Sequence, residues 1–143
     1  MAEMIDEKTE PRDRALAYGI LRLALGVNLF GHGFVRILGG VGGFLNWLVE
    51  HMSGTAVPAW LVRPFGYFLT VEEMVVGALL IVGWLTRPAL VAGGLVMVLL
   101  TWGVVMKQDW ATAGIQLAYS VTFFLLLFFR RYDRYSIDGW KRL

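Results

Sequence analysis

The sequence contains no cysteine, and this absence excludes several kinds of redox chemistry that a chain can carry by itself. Without a thiol the protein has no disulfide exchange, no cysteine-ligated zinc and no iron–sulfur cluster held by its own side chains. Histidine is scarce as well, with only His32 and His51. A bis-histidine haem would need both, and a metal site built on His32 and Glu73 would have too few ligands. We therefore expect no haem or metal site.

Charged residues are also few, which argues against a soluble domain. Asp, Glu, Lys and Arg make up 17% of the chain and hydrophobic residues 57%, whereas soluble domains average about 25% charged residues. The mean hydropathy is +0.62. The formal charge of +2 comes from basic residues that flank apolar blocks, so membrane topology explains it better than nucleic-acid binding. We predict membrane lipids as partners and no nucleic acid.

The apolar residues are grouped into four long blocks, as is typical of transmembrane helices. The predicted spans are residues 15–39, 64–85, 88–106 and 111–129. At about 1.5 Å per residue, each crosses a hydrocarbon core of roughly 30 Å. The sequence therefore predicts an all-α integral membrane protein, an antiparallel four-helix bundle that forms a single domain over residues 1–143.

The segments that flank the predicted spans have patterns of their own. Residues 1–13 are polar and predict a short solvated tail on the membrane surface. Residues 44–52 repeat apolar positions at spacings of three and four, which predicts an amphipathic helix in the membrane interface after the first span. Residues 86–88 predict a tight turn in which Pro88 is the first helical residue of the third span.

Lysine and arginine are distributed unevenly between the two sides of the membrane, and this asymmetry predicts the orientation. The side with both termini carries most of them: Lys8, Arg12, Arg14, Arg87, Arg130, Arg131, Arg134, Lys141 and Arg142. The other side carries Arg63 and Lys107, with Arg36 near the end of the first span. We therefore predict that both termini are cytoplasmic.

Polar side chains inside the predicted spans are the main functional signal. A charge at the bilayer centre costs about 2.5–3.5 kcal/mol on insertion scales, so such groups usually face partners or a cavity. Helical rise places His32, Glu73 and Tyr119 about 10–13 Å from the outer end of their spans. Gln116 and Arg36 lie about 5–7 Å from that end. Three helices therefore bring polar groups to the same outer half of the bilayer.

Helical spacing separates this group from its neighbours. Asn28, His32 and Arg36 are four residues apart and share one face of the first span. Arg22 lies in the inner half, where snorkelling or pairing with Asp133 predicts a structural role. For Glu72, a role at the helix surface or in an interface is favoured over chemistry.

An ordered set of motifs resembles the DoxX family of bacterial and archaeal membrane proteins over nearly the whole chain. The motifs are Leu21-Arg22-Leu23 through Gly26, Gly31-His32-Gly33 with Arg36, Ala56-Val57-Pro58, Glu73 through Gly77, Gly83, Thr86-Arg87, and Tyr135-Ser136-Ile137-Asp138. Many relatives have lysine where this chain has Arg36, which keeps the charge. The resemblance implies a prokaryotic cytoplasmic (inner) membrane protein.

One branch of that family includes the membrane subunit of thiosulfate:quinone oxidoreductase, so the resemblance implies that quinone-linked redox chemistry is open to this chain. A quinone needs a hydrogen-bond donor at each carbonyl and a route for protons. His32 and Glu73 are the candidate proton-transfer (catalytic) residues, since histidine exchanges protons near neutral pH. The candidate quinone-binding residues are Arg36, Asn28, Gln116, Tyr119 and Trp102, the last as a ring that packs on the headgroup.

Two functions therefore stand side by side. In the first, the chain is the membrane component of a quinone-linked oxidoreductase system and takes electrons from another membrane or periplasmic subunit. In the second, it is a non-catalytic structural or assembly subunit of a larger membrane complex, and its buried charges fix helix packing.

Overall fold

The computed structural model describes residues 2–141, with side chains from residue 10 onward, and its regular elements are helical. They are α1 (Ala2–Leu38), α2 (Val41–His51), α3 (Ala59–Val82), α4 (Thr86–Met106), α5 (Trp110–Phe128), a 3₁₀ turn (Arg130–Tyr132) and α6 (Ile137–Trp140). The prediction of an all-α fold is confirmed. Arg142 and the side chain of Lys8, both used to predict the orientation, lie outside the described part.

Four helices are long and apolar enough to cross a membrane, namely residues 10–38 of α1 and the whole of α3, α4 and α5. The shortest has 19 residues, which corresponds to a length of about 29 Å. The chain is therefore a multi-pass membrane protein, while its orientation stays a prediction. We call the end of the bundle with α2 and the α4–α5 turn the α2 end, and the end with the 3₁₀ turn and α6 the tail end.

The four helices pack as a bundle made of two tight pairs. α1 packs mainly on α3 and α4 on α5, α3 also contacts α4, and α1 meets α5 at few positions. Glycine allows the first pair to approach closely, because a Cβ on Gly77 would lie 2.3 Å from the backbone nitrogen of Phe30. The buried core between the pairs includes Leu25, Leu80 and Phe123. We call the contact between α1 and α5 the α1–α5 seam, and these two helices pack less closely than the two pairs do.

The helix boundaries differ from the predicted spans where polar residues end an apolar block but do not end a helix. α1 begins at Ala2, so the segment predicted as a solvated tail forms its first turns. α3 begins at Ala59, directly after an extended Pro58. Arg63, which marked the connection in the sequence, lies inside α3 and donates to the side chain of Asn46 in α2. The following turn centres on Gly83 and Leu85, both left-handed, and α4 starts at Thr86.

The predicted helix after the first span is present as α2 and is anchored on the bundle at both ends. Leu45 is fully buried and packs against Gly66 of α3, where a Cβ would come within 2.5 Å of its side chain. At the other end, Lys107 Nζ donates to the carbonyl of His51. A cation at that position suits the negative end of the helix dipole. α2 is therefore a fixed part of the α2 end.

The turn between α4 and α5 contains a pH-sensitive cap. Asp109 accepts hydrogen bonds from the backbone nitrogen of Thr112 (3.1 Å) and from its hydroxyl (2.6 Å). These bonds lower the pKa of Asp109 below its ordinary value. Because the folded pKa is depressed, the cap stabilises the protein above the unfolded pKa and is lost as pH falls through the folded value.

We expect Asp109→Ala to lower the unfolding midpoint in detergent at pH 6 and to match the unsubstituted chain at pH values below the folded pKa. Thermal unfolding followed by circular dichroism at both pH values measures the difference. Asp109→Asn is the control, since at every pH its amide oxygen accepts the bond from the backbone nitrogen of Thr112 and its amide nitrogen donates to the Thr112 hydroxyl. A difference between Asp109→Ala and the parent that does not change with pH would contradict this explanation.

At the tail end, one buried arginine joins α1 to the C-terminal segment. The Arg22 side chain is 4% exposed, and its Nε lies 3.4 Å from Oδ1 of Asp133, whose side chain is fully buried. Its guanidinium also donates to the carbonyls of Leu80, Ile81 (3.2 Å) and Tyr135 (2.7 Å). The predicted structural role of Arg22 and its pairing with Asp133 are confirmed.

Candidate functional site

The first pair of predicted site residues meets between α1 and α3. Arg36 donates to a carboxylate oxygen of Glu73, with side-chain exposures of 20% and 7%. The guanidinium carbon of Arg36 also lies 4.1 Å from the centre of the Phe44 ring of α2, which is a cation–π contact. Both charges are therefore compensated within the protein, and Arg36 links three helices.

The second pair crosses the α1–α5 seam. The hydroxyl of Tyr119 in α5 donates to Oδ1 of Asn28 in α1 over 3.0 Å. Tyr119 is half-buried against the core, while Asn28 is exposed on the protein surface. In a membrane, such a position is open to the lipid on one side and to the bundle on the other.

His32 lies on α1 between these two pairs, one turn from Asn28 and one turn from Arg36. Its side chain is exposed and makes no hydrogen bond within the described residues. Gln116 lies three residues before Tyr119 on α5. Since α1 and α5 run in opposite directions, His32 and Gln116 are both displaced from the Asn28–Tyr119 bond toward the α2 end, by about 6 and 4.5 Å. They therefore lie at the same level of the seam.

Two buried oxygen atoms at this end lack a hydrogen-bond partner. They are Oε1 of Gln116 and Oε1 of Glu72, both on half-buried side chains. A buried acceptor without a donor costs about 1–3 kcal/mol, so native proteins usually supply a partner, a water or a ligand. Within the part of the chain that the structure describes, none of its own groups supplies one.

Glu72 is half-buried on α3, beside the buried Glu73. Val76, one turn after Glu72 on α3, lies beside Gly93 of α4 and Phe123 of α5. Glu72 and Tyr119 are each one turn from that contact, about 6 Å toward the α2 end. One carboxylate oxygen of Glu72 is covered, a position consistent with the predicted role at the helix surface or in an interface. Adjacent residues differ by 100° around a helix, so Glu73 is buried while its neighbour Glu72 is half-buried.

Trp102 does not join these residues. It lies five residues after the buried Met97 on α4, which places it about 140° around the helix from the core face. Its side chain is 54% exposed, as expected for a residue that faces lipid. No hydrogen bond or ring contact connects it to the other predicted residues within the described range.

We call the polar side chains of α1, α3 and α5 in this half of the bundle the polar cluster. They are Asn28, His32, Arg36, Glu72, Glu73, Gln116 and Tyr119. The cluster contains an imidazole that can exchange a proton and a carboxylate paired with arginine. It also contains two hydrogen-bond acceptors without a donor, the Oε1 atoms of Gln116 and Glu72. No set of three or more His, Asp or Glu residues that could hold a metal ion occurs among the described residues. Together these groups can donate and accept hydrogen bonds and exchange protons.

Comparison with known proteins gives one result. The DoxX family model matches residues 17–106, a region that runs from within α1 to the end of α4 and therefore includes most of the polar cluster. No curated protein and no solved structure matches the chain. Because the match covers more than half of the sequence, the chain belongs to the DoxX family of membrane proteins.

Proposed function

We propose that this protein is the membrane component of a quinone-linked oxidoreductase system and that the polar cluster binds the headgroup of a quinone or quinol. Unpaired groups at one level of the α1–α5 seam support this function above all. The His32 side chain and Oε1 of Gln116 lie at this level without a hydrogen-bond partner within the described residues, while Asn28, Arg36 and Tyr119 near them are paired. A ligand that brings its own hydrogen-bonding oxygens would satisfy them.

The position of the cluster also suits a lipid-soluble substrate. Asn28 and His32 are exposed on α1 at a level where the surrounding surface is apolar. A quinone that diffuses in the bilayer would reach them from the side, between α1 and α5, without crossing water. Trp102 has no role in this proposal, because its side chain lies away from the cluster.

The residues have distinct roles in the proposed reaction. Reduction of a quinone to a quinol takes up two electrons and two protons. His32 would pass a proton to the nearer carbonyl oxygen, and Glu73, with Glu72 beside it, would carry protons through the interior. Arg36 holds Glu73 in place, and Gln116 and Tyr119 would orient the other end of the ring. The electrons come from another subunit, in keeping with a site that we propose opens toward the outer leaflet.

The direct test is native mass spectrometry of the chain released gently from the membranes of its own host. We expect a retained mass that matches a quinone in the parent protein, and its loss in His32→Ala and in Gln116→Ala. Thr122→Val is the matched control on α5, since the Thr122 hydroxyl bonds only the carbonyl of Ala118 in its own helix. A quinone mass retained equally in all four proteins would contradict binding at the polar cluster.

The compensated Arg36–Glu73 pair favours the second function, a structural subunit of a larger membrane complex. Glu73→Gln separates the two. If Glu73 carries protons, quinone-dependent electron transfer is lost while the complex still assembles. Loss of assembly together with activity would assign the pair to packing, and partner subunits found without any small molecule on this chain would do the same.

A further inference from the structure

A second polar site lies at the α2 end, apart from the polar cluster. It is a cleft of about 400 Å³ between α2 and the α4–α5 turn, and its walls are Trp47, Glu50, His51 and Lys107. The indole of Trp47 stacks on the imidazole of His51, with ring centres 4.6 Å apart and planes inclined by 14°. The stacked pair forms one flat wall, and the charged groups lie around it.

The cleft lies at the boundary between hydrocarbon and lipid headgroups. Lys107 directly follows Met106, the last residue of the α4 span, and Trp110 begins the α5 span. Trp110 is 66% exposed at this level. Exposed tryptophans are enriched where membrane helices pass through the headgroup layer. Phospholipid headgroups are therefore the molecules that surround the cleft in a bilayer.

The cleft carries charges of both signs, one on Lys107 and one on Glu50. Lys107 donates one hydrogen bond to the carbonyl of His51, which fixes its ammonium group and leaves two further N–H groups. Glu50 is exposed and forms no ion pair within the described residues. A ligand that matches both groups carries an anion for Lys107 and a hydrogen-bonding cation for Glu50.

We infer that this cleft binds the headgroup of an ethanolamine phospholipid, with its phosphate at Lys107 and its primary ammonium at Glu50. A primary ammonium donates three hydrogen bonds to carboxylate oxygens, whereas the quaternary ammonium of choline donates none. An anionic headgroup without an amine would meet Lys107 but would place no cation at Glu50. The site therefore discriminates between headgroups by their amine.

The test is native mass spectrometry of the delipidated, full-length chain with ethanolamine, choline and glycerol phospholipids of the same acyl chains. We expect the ethanolamine lipid to bind about fivefold better than the choline lipid, as one partly exposed ion pair would produce. Glu50→Gln should remove this preference and leave choline-lipid binding unchanged. Arg63→Gln is the matched control at the same end of the bundle and should keep the preference.

Three results would overturn the inference. The first is equal binding of ethanolamine and choline lipids by the parent protein. The second is a preference that survives in Glu50→Gln. The third is displacement of the lipid by free phosphoethanolamine at equal concentration, which would make a soluble phosphomonoester the ligand. None of these results depends on quinone binding at the polar cluster.

Discussion

Replacement of Arg22 by methionine is expected to lower the free energy of unfolding by about 3–5 kcal/mol, the range for removing one partner of a buried ion pair. Asp133 would stay buried, with a side chain that is fully covered in the folded protein. The carbonyls of Ile81 and Tyr135 would lose their shared donor as well. Removing a cation from beside a buried carboxylate, and a donor from buried acceptors, costs more than the original bonds contributed.

Unfolding in mixed micelles with a rising fraction of dodecyl sulfate, followed by tryptophan fluorescence, measures this loss. The double variant Arg22→Met/Asp133→Leu should recover much of it, because an apolar pair of similar volume avoids the desolvation of both charges. Arg12→Ala is the matched control, since Arg12 is exposed on the same helix, forms no ion pair within the described residues and should have little effect when replaced. Full stability in Arg22→Met would show that the tail does not hold α1 in this way.

The second large effect is expected from Gly77→Ala, at the closest approach of α1 and α3. The added Cβ would lie 2.3 Å from the nitrogen and 2.7 Å from the Cα of Phe30, and 2.8 Å from the carbonyl oxygen of Gly26. These are backbone atoms, so no side chain can move aside and the two helices must separate. We expect a loss of about 3 kcal/mol, at the upper end of the cost of overpacking.

The matched control is Gly31→Ala on α1, where an added Cβ meets nothing within 4 Å. Alanine favours a helix over glycine, so this variant should be as stable as the parent or slightly more stable. Because Glu73 lies one turn from Gly77, separation of the helices should also weaken the contact with Arg36. Equal stability of the two alanine variants would contradict the close packing of α1 on α3.

Much of the fold could be predicted from the sequence because long apolar blocks identify transmembrane helices. Such blocks predict the spans but not the helix ends. Arg63 ended an apolar block in the sequence, yet it lies within α3 because its side chain reaches Asn46. Hydropathy reports the solvent around a residue, whereas a helix end depends on capping groups and turns such as Pro58 and Gly83.

The polar cluster could be predicted in part, through depth. Counting helical rise placed Arg36, Glu73 and Tyr119 in the same outer half of the bilayer. The structure pairs Arg36 with Glu73 and Tyr119 with Asn28, and neither pairing followed from the count. The direction in which a side chain points around its helix was harder to predict than its depth in the membrane. Whether Trp102 faces lipid depends on which side of α4 meets its neighbours, which no residue count provides.

The contact of Arg22 with the tail also has a consequence for the order of events during synthesis. Asp133 and Tyr135 follow Arg22 by more than a hundred positions, an interval of roughly 6–20 s at ordinary rates of translation. Throughout that interval the first helix enters the bilayer with a charge whose final partners have not yet left the ribosome. Until Asp133 and Tyr135 are synthesised, insertion machinery, anionic lipid or water must solvate the Arg22 guanidinium. The stability of the nascent first helix therefore depends on its surroundings during that time.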